Sequence, residues 1–355
     1  MNPAELLSRM VAIPSLSGEE QELANFLVGA MWELGFSAWV DAEGNAIGVR
    51  ESGDDICREI VLLGHMDTVP GEIPVRVEGD RLYGRGTVDA KGPLATFIAA
   101  ASQAALGPGT RVVVVGAVEE EAATSRGARH VAAWYRPDAC IIGEPSGWDG
   151  VTLGYKGRLL VDYCLSQPMG HTAGPEDAVA ERAVGWWRAV RRHAERFNEG
   201  RERLFERLLP SLRDICTSSD GLHDQVEMKV GLRLPPDFDA QALESALREE
   251  AGEATLHFYA YEPAFQASRA TWLVRAFQRA IRQHGTRPRF KVKTGTSDMN
   301  VVGPAWHCPI VAYGPGDSCL DHTPEEHVEI AEYLKAIEIV KTVLETWSGE
   351  WRDEG

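Results

Sequence analysis

The 355-residue sequence lacks apolar runs long enough to span a bilayer, and it is poor in cations, with 36 Lys and Arg against 53 Asp and Glu. The resulting formal net charge of −17 disfavours general binding to nucleic acids or anionic membranes. The N-terminal residues show no basic stretch followed by an apolar one, so we expect no signal peptide. These absences predict a globular protein of the cytoplasm that binds neither nucleic acids nor membranes.

Several common catalytic motifs are also missing. The sequence contains no P-loop, no HExxH pair and no serine nucleophile elbow. Gly84-Arg85-Gly86 begins like a dinucleotide-binding loop, but Asp89 replaces the third glycine and no long strand precedes the segment. The six cysteines show no CxxC spacing, which indicates reduced thiols, several of them buried as small apolar residues.

The order of predicted strands and helices indicates the fold. Because 355 residues exceed one ordinary core, we expect two domains. Strands at 60–63, 111–118 and 139–142 alternate with helices, which predicts an α/β fold with a mostly parallel sheet and helices on both faces. Residues 155–263 instead follow the order β-α-β-β-α-β, typical of a ferredoxin-like α+β domain, and open with one strand predicted over 154–165. We therefore predict a catalytic domain of 1–154 and 264–355 with 155–263 inserted.

Acidic residues and histidines gather where predicted strands end or in the adjoining loops. Open α/β sheets build their sites at the C-terminal ends of strands. Two histidines and several carboxylates can hold two divalent cations when one carboxylate bridges them. Each of these residues also has an ordinary structural explanation. The acids at 119–121 could start a solvated helix, Asp89 could cap a helix, and His322 could be a surface loop residue. Taken together they predict a metal site: His65, Asp67, Asp89, Glu119, Glu120, Glu144 and His322.

These residues stand in recognisable motifs. GHMDTVP at 64–70, GRGTVDAKGP at 84–93, IIGEP at 141–145 and DHTPEE at 321–326 follow one another in an order that resembles the M20 family of co-catalytic zinc amidohydrolases and exopeptidases. The resemblance extends over the whole chain. It implies two Zn²⁺ ions sharing a water or hydroxide, with Co²⁺ or Mn²⁺ as alternatives. It also implies that the inserted domain is a lid through which a homodimer forms.

The resemblance assigns a role to each metal-site residue. Asp89 would bridge the ions, His65 and Glu144 would complete one site, and Glu120 and His322 the other. Asp67 would orient the imidazole of His65, as bound histidines usually require. Glu119 would be the general base that takes a proton from water and passes it to the leaving amine.

Further residues are implied for substrate binding and catalysis. His171 resembles a lid histidine that reaches into the other subunit's site, although a turn histidine of the lid would look the same. Arg233 matches a lid arginine whose planar fork suits a carboxylate. Gly295, Thr296 and Ser297 match a loop that lines the substrate pocket.

Three longer segments resemble one branch of the family: EPSGWDGVTLGYKGRLLV from 144, KTGTSDMNVV from 293 and VAYGPGDSCLDHTPEEH from 311. That branch releases lysine, in some versions ornithine, from the C-terminal glutamate of an acidic amino-group carrier protein during lysine and arginine biosynthesis. The alternatives are a deacetylase of free N-acetylornithine or N-acetyllysine, a small-peptide exopeptidase, or a catalytically silent relative. A catalytically silent relative should lack a metal ligand or the general base, and this sequence contains all of them.

One stretch of this acidic chain is strongly basic. Residues 269–297 contain no acid, but they hold eight cations: Arg269, Arg275, Arg279, Arg282, Arg287, Arg289, Lys291 and Lys293. We hypothesise that this stretch attracts an acidic carrier electrostatically. The alternative is a solvated basic helix face that pairs with acids elsewhere in the fold.

Overall fold

The computed structural model describes residues 1–171 and 177–350, except for the side chains of the last two. The chain divides into two compact units. The first comprises Met1–Gly154, Gln266–Val292 and Ser297–Gly355, and the second comprises Tyr155–Phe265 and Lys293–Thr296.

The first unit begins with a long run of alternating elements. In chain order they are α1 (Pro3–Ala12), α2 (Gln21–Glu33), β1 (Ser37–Val40), β2 (Ala46–Ser52), β3 (Arg58–His65), β4 (Arg76–Glu78), β5 (Arg81–Tyr83), α3 (Lys91–Gln103), β6 (Thr110–Ala117), α4 (Arg126–Trp134), β7 (Ala139–Gly143) and β8 (Gly150–Tyr155).

The second unit follows, and the chain then returns to the first. The second unit contains β9 (Gly157–Pro168), α5 (Val179–Asn198), a 3₁₀ turn (Leu204–Glu206), β10 (Leu209–Ser219), β11 (His223–Leu234), α6 (Ala240–Ala251) and β12 (Thr255–Glu262). The returning chain forms β13 (Phe265–Gln266), α7 (Trp272–Gln283), β14 (Arg289–Lys293), α8 (Met299–Trp306), β15 (Ile310–Tyr313), β16 (His327–Glu329) and α9 (Ile330–Glu350).

The central sheet of the first unit runs β1-β2-β6-β3-β7-β15-β8-β13, with β14 also paired to β8. Its middle strands β6, β3, β7 and β15 are parallel, while the β1–β2, β2–β6 and β15–β8 pairs are antiparallel. The predicted α/β class is confirmed, with antiparallel margins around a parallel centre. The apolar runs of β3 and β6 are buried on both faces, as parallel strands usually are.

Helices bury the sheet of this unit in one continuous core. α3 is apolar almost all round, and Leu94, Phe97 and Ile98 are fully buried in that core. Tyr333 and Val340 of α9 belong to the same cluster. A separate three-stranded sheet, β16-β5-β4, joins the loop after β3 to the chain before α9. Within the described ranges, no helix is long and apolar enough to cross a membrane.

The second unit is an antiparallel sheet ordered β10-β11-β9-β12 with its own core. Combined with the order β-α-β-β-α-β, this pairing is the ferredoxin-like arrangement. Trp186 of α5 stacks near Tyr163 of β9, with ring centroids 5.0 Å apart. β10 is an edge strand whose residues from Ser211 to Ser219 are exposed on both faces.

The cysteines are free thiols. The expectation that several are buried is wrong, because only Cys140 of β7 is buried, Cys308 is half-buried and the other four are exposed.

Candidate metal centre

The parallel strands of the first unit bring the predicted metal-site residues to one edge of its sheet. β3 ends at His65, which lies in register with Ala117 at the end of β6. The neighbouring strand β7 ends at Gly143, directly before Glu144. Because the carboxyl ends of parallel strands meet at one edge, residues distant in sequence become neighbours there.

His65 is held in one orientation by Asp67. Its Nδ1 lies 3.0 Å from the Asp67 backbone carbonyl and 3.3 Å from the Asp67 carboxylate, and both residues are buried. Two acceptors at Nδ1 place the proton on that nitrogen, which leaves the lone pair of Nε2 for a metal ion. Ser17 donates a further hydrogen bond to Asp67, 2.6 Å long.

Two clusters of ligand atoms share Asp89. His65, Asp89 and Glu144 offer atoms that all lie within 4.8 Å of one another, and so do Asp89, Glu121 and His322. His65 Nε2 lies 3.2 Å from one Asp89 oxygen, and His322 Nε2 lies 3.2 Å from the other. Two donors bound to one tetrahedral ion at about 2.1 Å lie about 3.4 Å apart. The donor sets therefore fit a pair of ions such as Zn²⁺ with Asp89 between them.

The acid beside His322 is not the expected one. His322 Nε2 lies 2.9 Å from Glu121, whereas the sequence assigned Glu120 to this cluster. Glu120 lies nearer to His65, with its carboxylate 4.0 Å from Nε2. Asp67 fixes this arrangement, because its two oxygens accept the backbone N–H groups of Glu120 and Glu121 at 3.1 and 3.0 Å.

Glu119 points away from both clusters. Its backbone is left-handed, with φ of +57°, and this turn follows the end of β6. One of its oxygens accepts a hydrogen bond from Thr124 at 2.6 Å, and the other pairs with Arg126 at 3.0 Å. Both oxygens are therefore engaged in the loop before α4, and the turn directs the next two glutamates toward the histidines.

Crowded acids give the site a surplus of negative charge. Burial raises the pKa of Glu120, and the nearby Glu144 and Asp298 carboxylates raise it further, despite the opposing effect of His65. Burial raises the pKa of Asp298 to about 7. Hydrogen bonds to Asp89 and Glu121 raise the pKa of His322 to about 10. A cluster that retains protons in this way is electrostatically suited to cations.

A buried glutamate that the sequence analysis did not single out joins the two loops of the site. Glu326 is fully buried and accepts the backbone N–H groups of Gly86, Val88 and Asp89 at 2.9 to 3.2 Å. It also pairs with Arg85 at 2.7 Å, and Arg85 donates to the carbonyl of Thr323, the residue after His322. The loops of Asp89 and His322 are thereby tied together.

We expect Glu326→Gln to weaken metal binding by about 10–100-fold, the usual effect of losing support behind a ligand. The amide keeps one acceptor but loses the charge that faces Arg85. A competition titration against a chelator measures the change, with Glu325→Gln as the control because Glu325 is exposed next to it. Equal metal affinity of the two variants would exclude this positioning role.

The remaining predicted residues divide between the two units. Arg233 and Thr296 lie together in the second unit, where the guanidinium donates to the threonine hydroxyl at 3.0 Å. Gly295 is half-buried in the same unit, and His171 is exposed there, next to residues 172–176 outside the described part. Ser297 belongs to the first unit and is buried, and its N–H donates to Asn300.

The α/β sheet with a parallel centre carries two possible metal-ligand clusters at its strand ends, an arrangement that suits a metal-dependent hydrolase. Comparison with known proteins agrees. The profile of peptidase family M20/M25/M40 matches residues 61–346. The LysW-lysine hydrolase of Deinococcus radiodurans is 49% identical over 96% of this chain and 95% of its own length.

Two further comparisons extend this finding. A Thermococcus kodakarensis protein with the provisional name LysW-lysine/LysW-ornithine hydrolase is 42% identical over 97% of this chain and 92% of its own. In fold, an M20 family metallo-carboxypeptidase from Sulfolobus solfataricus superposes with a TM-score of 0.79 at 19% identity, covering 98% and 100% of the two chains. The chain belongs to peptidase family M20/M25/M40. It is accordingly a metal-dependent amidohydrolase.

Proposed function

We propose that this enzyme hydrolyses the amide bond between the C-terminal glutamate of an amino-group carrier protein and the α-amino group of lysine, with ornithine as a second substrate. Two observations support the proposal. Relatives that are similar over nearly the whole chain carry the names LysW-lysine hydrolase and LysW-lysine/LysW-ornithine hydrolase, which supports lysine and ornithine as the amino acids released. The geometry supplies two ligand clusters that share Asp89, which is the arrangement a two-metal amidohydrolase needs.

The proposed metal ligands are taken from these contacts. Asp89 would be shared by two ions such as Zn²⁺, His65 and Glu144 would complete one ligand set, and Glu121 and His322 would complete the other. When bound, such ions polarise the scissile carbonyl and lower the pKa of water. Co²⁺ or Mn²⁺ would accept the same nitrogen and oxygen donors.

Glu120 replaces Glu119 as the proposed general base. Its carboxylate is nearly buried beside His65, and among residues 1–171 and 177–350 none donates a hydrogen bond to it. A base with free lone pairs can take the proton of the attacking water and then deliver it to the leaving α-amine. The raised pKa of Glu120 favours that return of the proton. Glu119 lacks this freedom because Thr124 and Arg126 occupy its oxygens.

Substrate recognition is proposed for the second unit. The guanidinium of Arg233, steadied by Thr296, offers a planar fork to the carboxylate of the amino acid being released. Gly295 and Ser297 flank Thr296 in the same loop, and we retain both as pocket residues.

A homodimer through the second unit is also proposed. β10 is an edge strand of eleven residues that pairs only with β11 among the described strands, and Leu212 and Ile215 are each 39% exposed. A second copy of the chain could cover such an edge. A partner seated on this edge would allow His171 to serve the other subunit as a hydrogen-bond donor to the developing oxyanion.

The substrate assignment is tested by comparing two amides at matched concentrations. One is lysine joined through its α-amino group to the side-chain carboxyl of the carrier's C-terminal glutamate, and the other is N-acetyl-L-lysine. With the metal-loaded enzyme, we expect kcat/KM to be at least about tenfold higher for the carrier form, because only that form offers protein contacts beyond the bond. Released lysine is the readout.

The other outcomes point to different activities. Equal or faster cleavage of the acetyl compound would favour a deacetylase of free amino acids. Release from neither compound, with two ions bound, would reject both assignments and favour a peptidase.

A further inference from the structure

The basic stretch 269–297 contains α7 and β14, which lie in the first unit except for Lys293, the last residue of β14. α7 buries Leu273, Phe277 and Ile281 against the core. Its opposite side exposes Arg275 and Arg282, which are seven residues apart and so lie on the same face of the helix. Arg287 is exposed in the connection to β14. A cationic face therefore exists on a chain whose formal net charge is −17.

Three of the cations in this stretch stabilise the fold. Arg289 forms an ion pair with Asp149, and Lys291 donates to the carbonyl of Ser146 at 2.7 Å. Both partners lie in the loop that follows the metal-site residue Glu144. Arg269 stacks over Phe290 at 4.2 Å. The contacts of Arg289 and Lys291 attach β14 to the loop that follows Glu144.

The exposed arginines have no such internal role. Arg275, Arg282 and Arg287 form no ion pair with any residue in the ranges that the structure describes. Arg275 donates to the carbonyl of Ala270, which engages one donor but leaves the charge uncompensated. Pairing with acids in the described part of the chain therefore does not account for these three charges.

We propose that Arg275, Arg282 and Arg287 form a docking surface for an acidic carrier protein, and we call these three residues the basic face. This inference rests on the proposed function, which makes a protein the acyl part of the substrate. Two acidic proteins repel each other at long range, so productive encounter needs a local region of opposite charge. The basic face supplies that region on the same unit as the metal centre.

The test is the triple variant Arg275→Glu, Arg282→Glu and Arg287→Glu, which spares the contacts of Arg289 and Lys291. At low salt we expect KM for the carrier-linked lysine to rise about tenfold or more, with kcat nearly unchanged. Kinetics with N-acetyl-L-lysine should stay unchanged, because that compound has no protein part. Added salt should raise KM of the wild type and reduce the difference between the two proteins.

A matched control makes the same charge change on the second unit, at the exposed residues Arg188, Arg191 and Arg203. If KM rose equally for this control, the effect would come from the net charge of the protein, and the docking role of the basic face would be rejected. An unchanged KM of the test variant, or equal losses on both substrates, would overturn it as well. Failure of the wild type to cleave the carrier form would instead reject the proposed function, and the inference with it.

Discussion

Glu120→Gln is expected to lower kcat by about 10²–10⁴-fold while both metal ions remain bound. The substitution keeps the shape of the side chain but removes its ability to accept a proton. Glu120 lies 4.0 Å from His65 Nε2 and is absent from both ligand clusters, so metal content should not depend on it. Steady-state kinetics together with elemental analysis of the purified variant measure the two quantities.

Glu119→Gln is the matched control, since it makes the same change one residue earlier. Its side chain binds Thr124 and Arg126 outside the clusters, so we expect kcat to fall by less than about tenfold, consistent with a surface ion pair worth at most ~1 kcal/mol. A larger loss for Glu119→Gln than for Glu120→Gln would restore the assignment made from the sequence.

Asp89→Asn is expected to abolish turnover by weakening both metal sites, by more than about 100-fold each. Asp89 is the one residue common to the two ligand clusters of the described chain, and each of its oxygens lies 3.2 Å from a different histidine. Neutralising it removes a negative charge from both sites together. Metal stoichiometry after dialysis should therefore fall from two toward zero.

Single-site variants provide the comparison for this prediction. Glu144→Gln and Glu121→Gln each remove a carboxylate from one cluster only, so each should retain about one ion. If Asp89→Asn also retained one ion, the bridging role of Asp89 would be wrong. If Glu121→Gln retained two ions and Glu120→Gln lost one, the second ligand would be Glu120.

The sheet and the strand-end positions were predictable because they depend on local patterns. Runs of branched apolar residues mark β3, β6 and β7, and parallel pairing then brings their C-terminal ends together. The spacing of His65 and Asp67 likewise anticipates a contact that the structure contains.

The register of the three glutamates after β6 was not predictable in the same way. Which glutamate faces the histidines depends on the left-handed backbone of Glu119 and on the two N–H groups that Asp67 accepts. Asp67 lies more than fifty residues earlier in the chain, so no local pattern records this contact. The sequence motif therefore indicated where the three glutamates lie, but hydrogen bonds from a distant part of the chain determine which of them face the histidines.

Two of the secondary-structure elements that differ from the prediction have a clear physical explanation. The single strand predicted over 154–165 is two strands, interrupted at Lys156, whose buried ammonium donates to the carbonyls of Phe205 and Arg207. α8 was not predicted, because Gly303 and Pro304 in its last turns disfavour a helix. Burial of Met299 and Val302 against the core outweighs that local preference.

The hydrogen bonds of Glu326 to the loop of Asp89 also bear on when the metal centre can form during synthesis of the chain. Gly86 and Glu326 are separated by 240 residues. At translation rates of about 5–20 residues per second, the loop of Asp89 leaves the ribosome about 10–50 s before its buried partner. Throughout that interval the loop lacks the carboxylate that holds three of its backbone N–H groups. The proposed second ligand set, which includes His322, therefore cannot be complete while the nascent chain is still short of that residue, whereas the first set is complete once Glu144 has been synthesised.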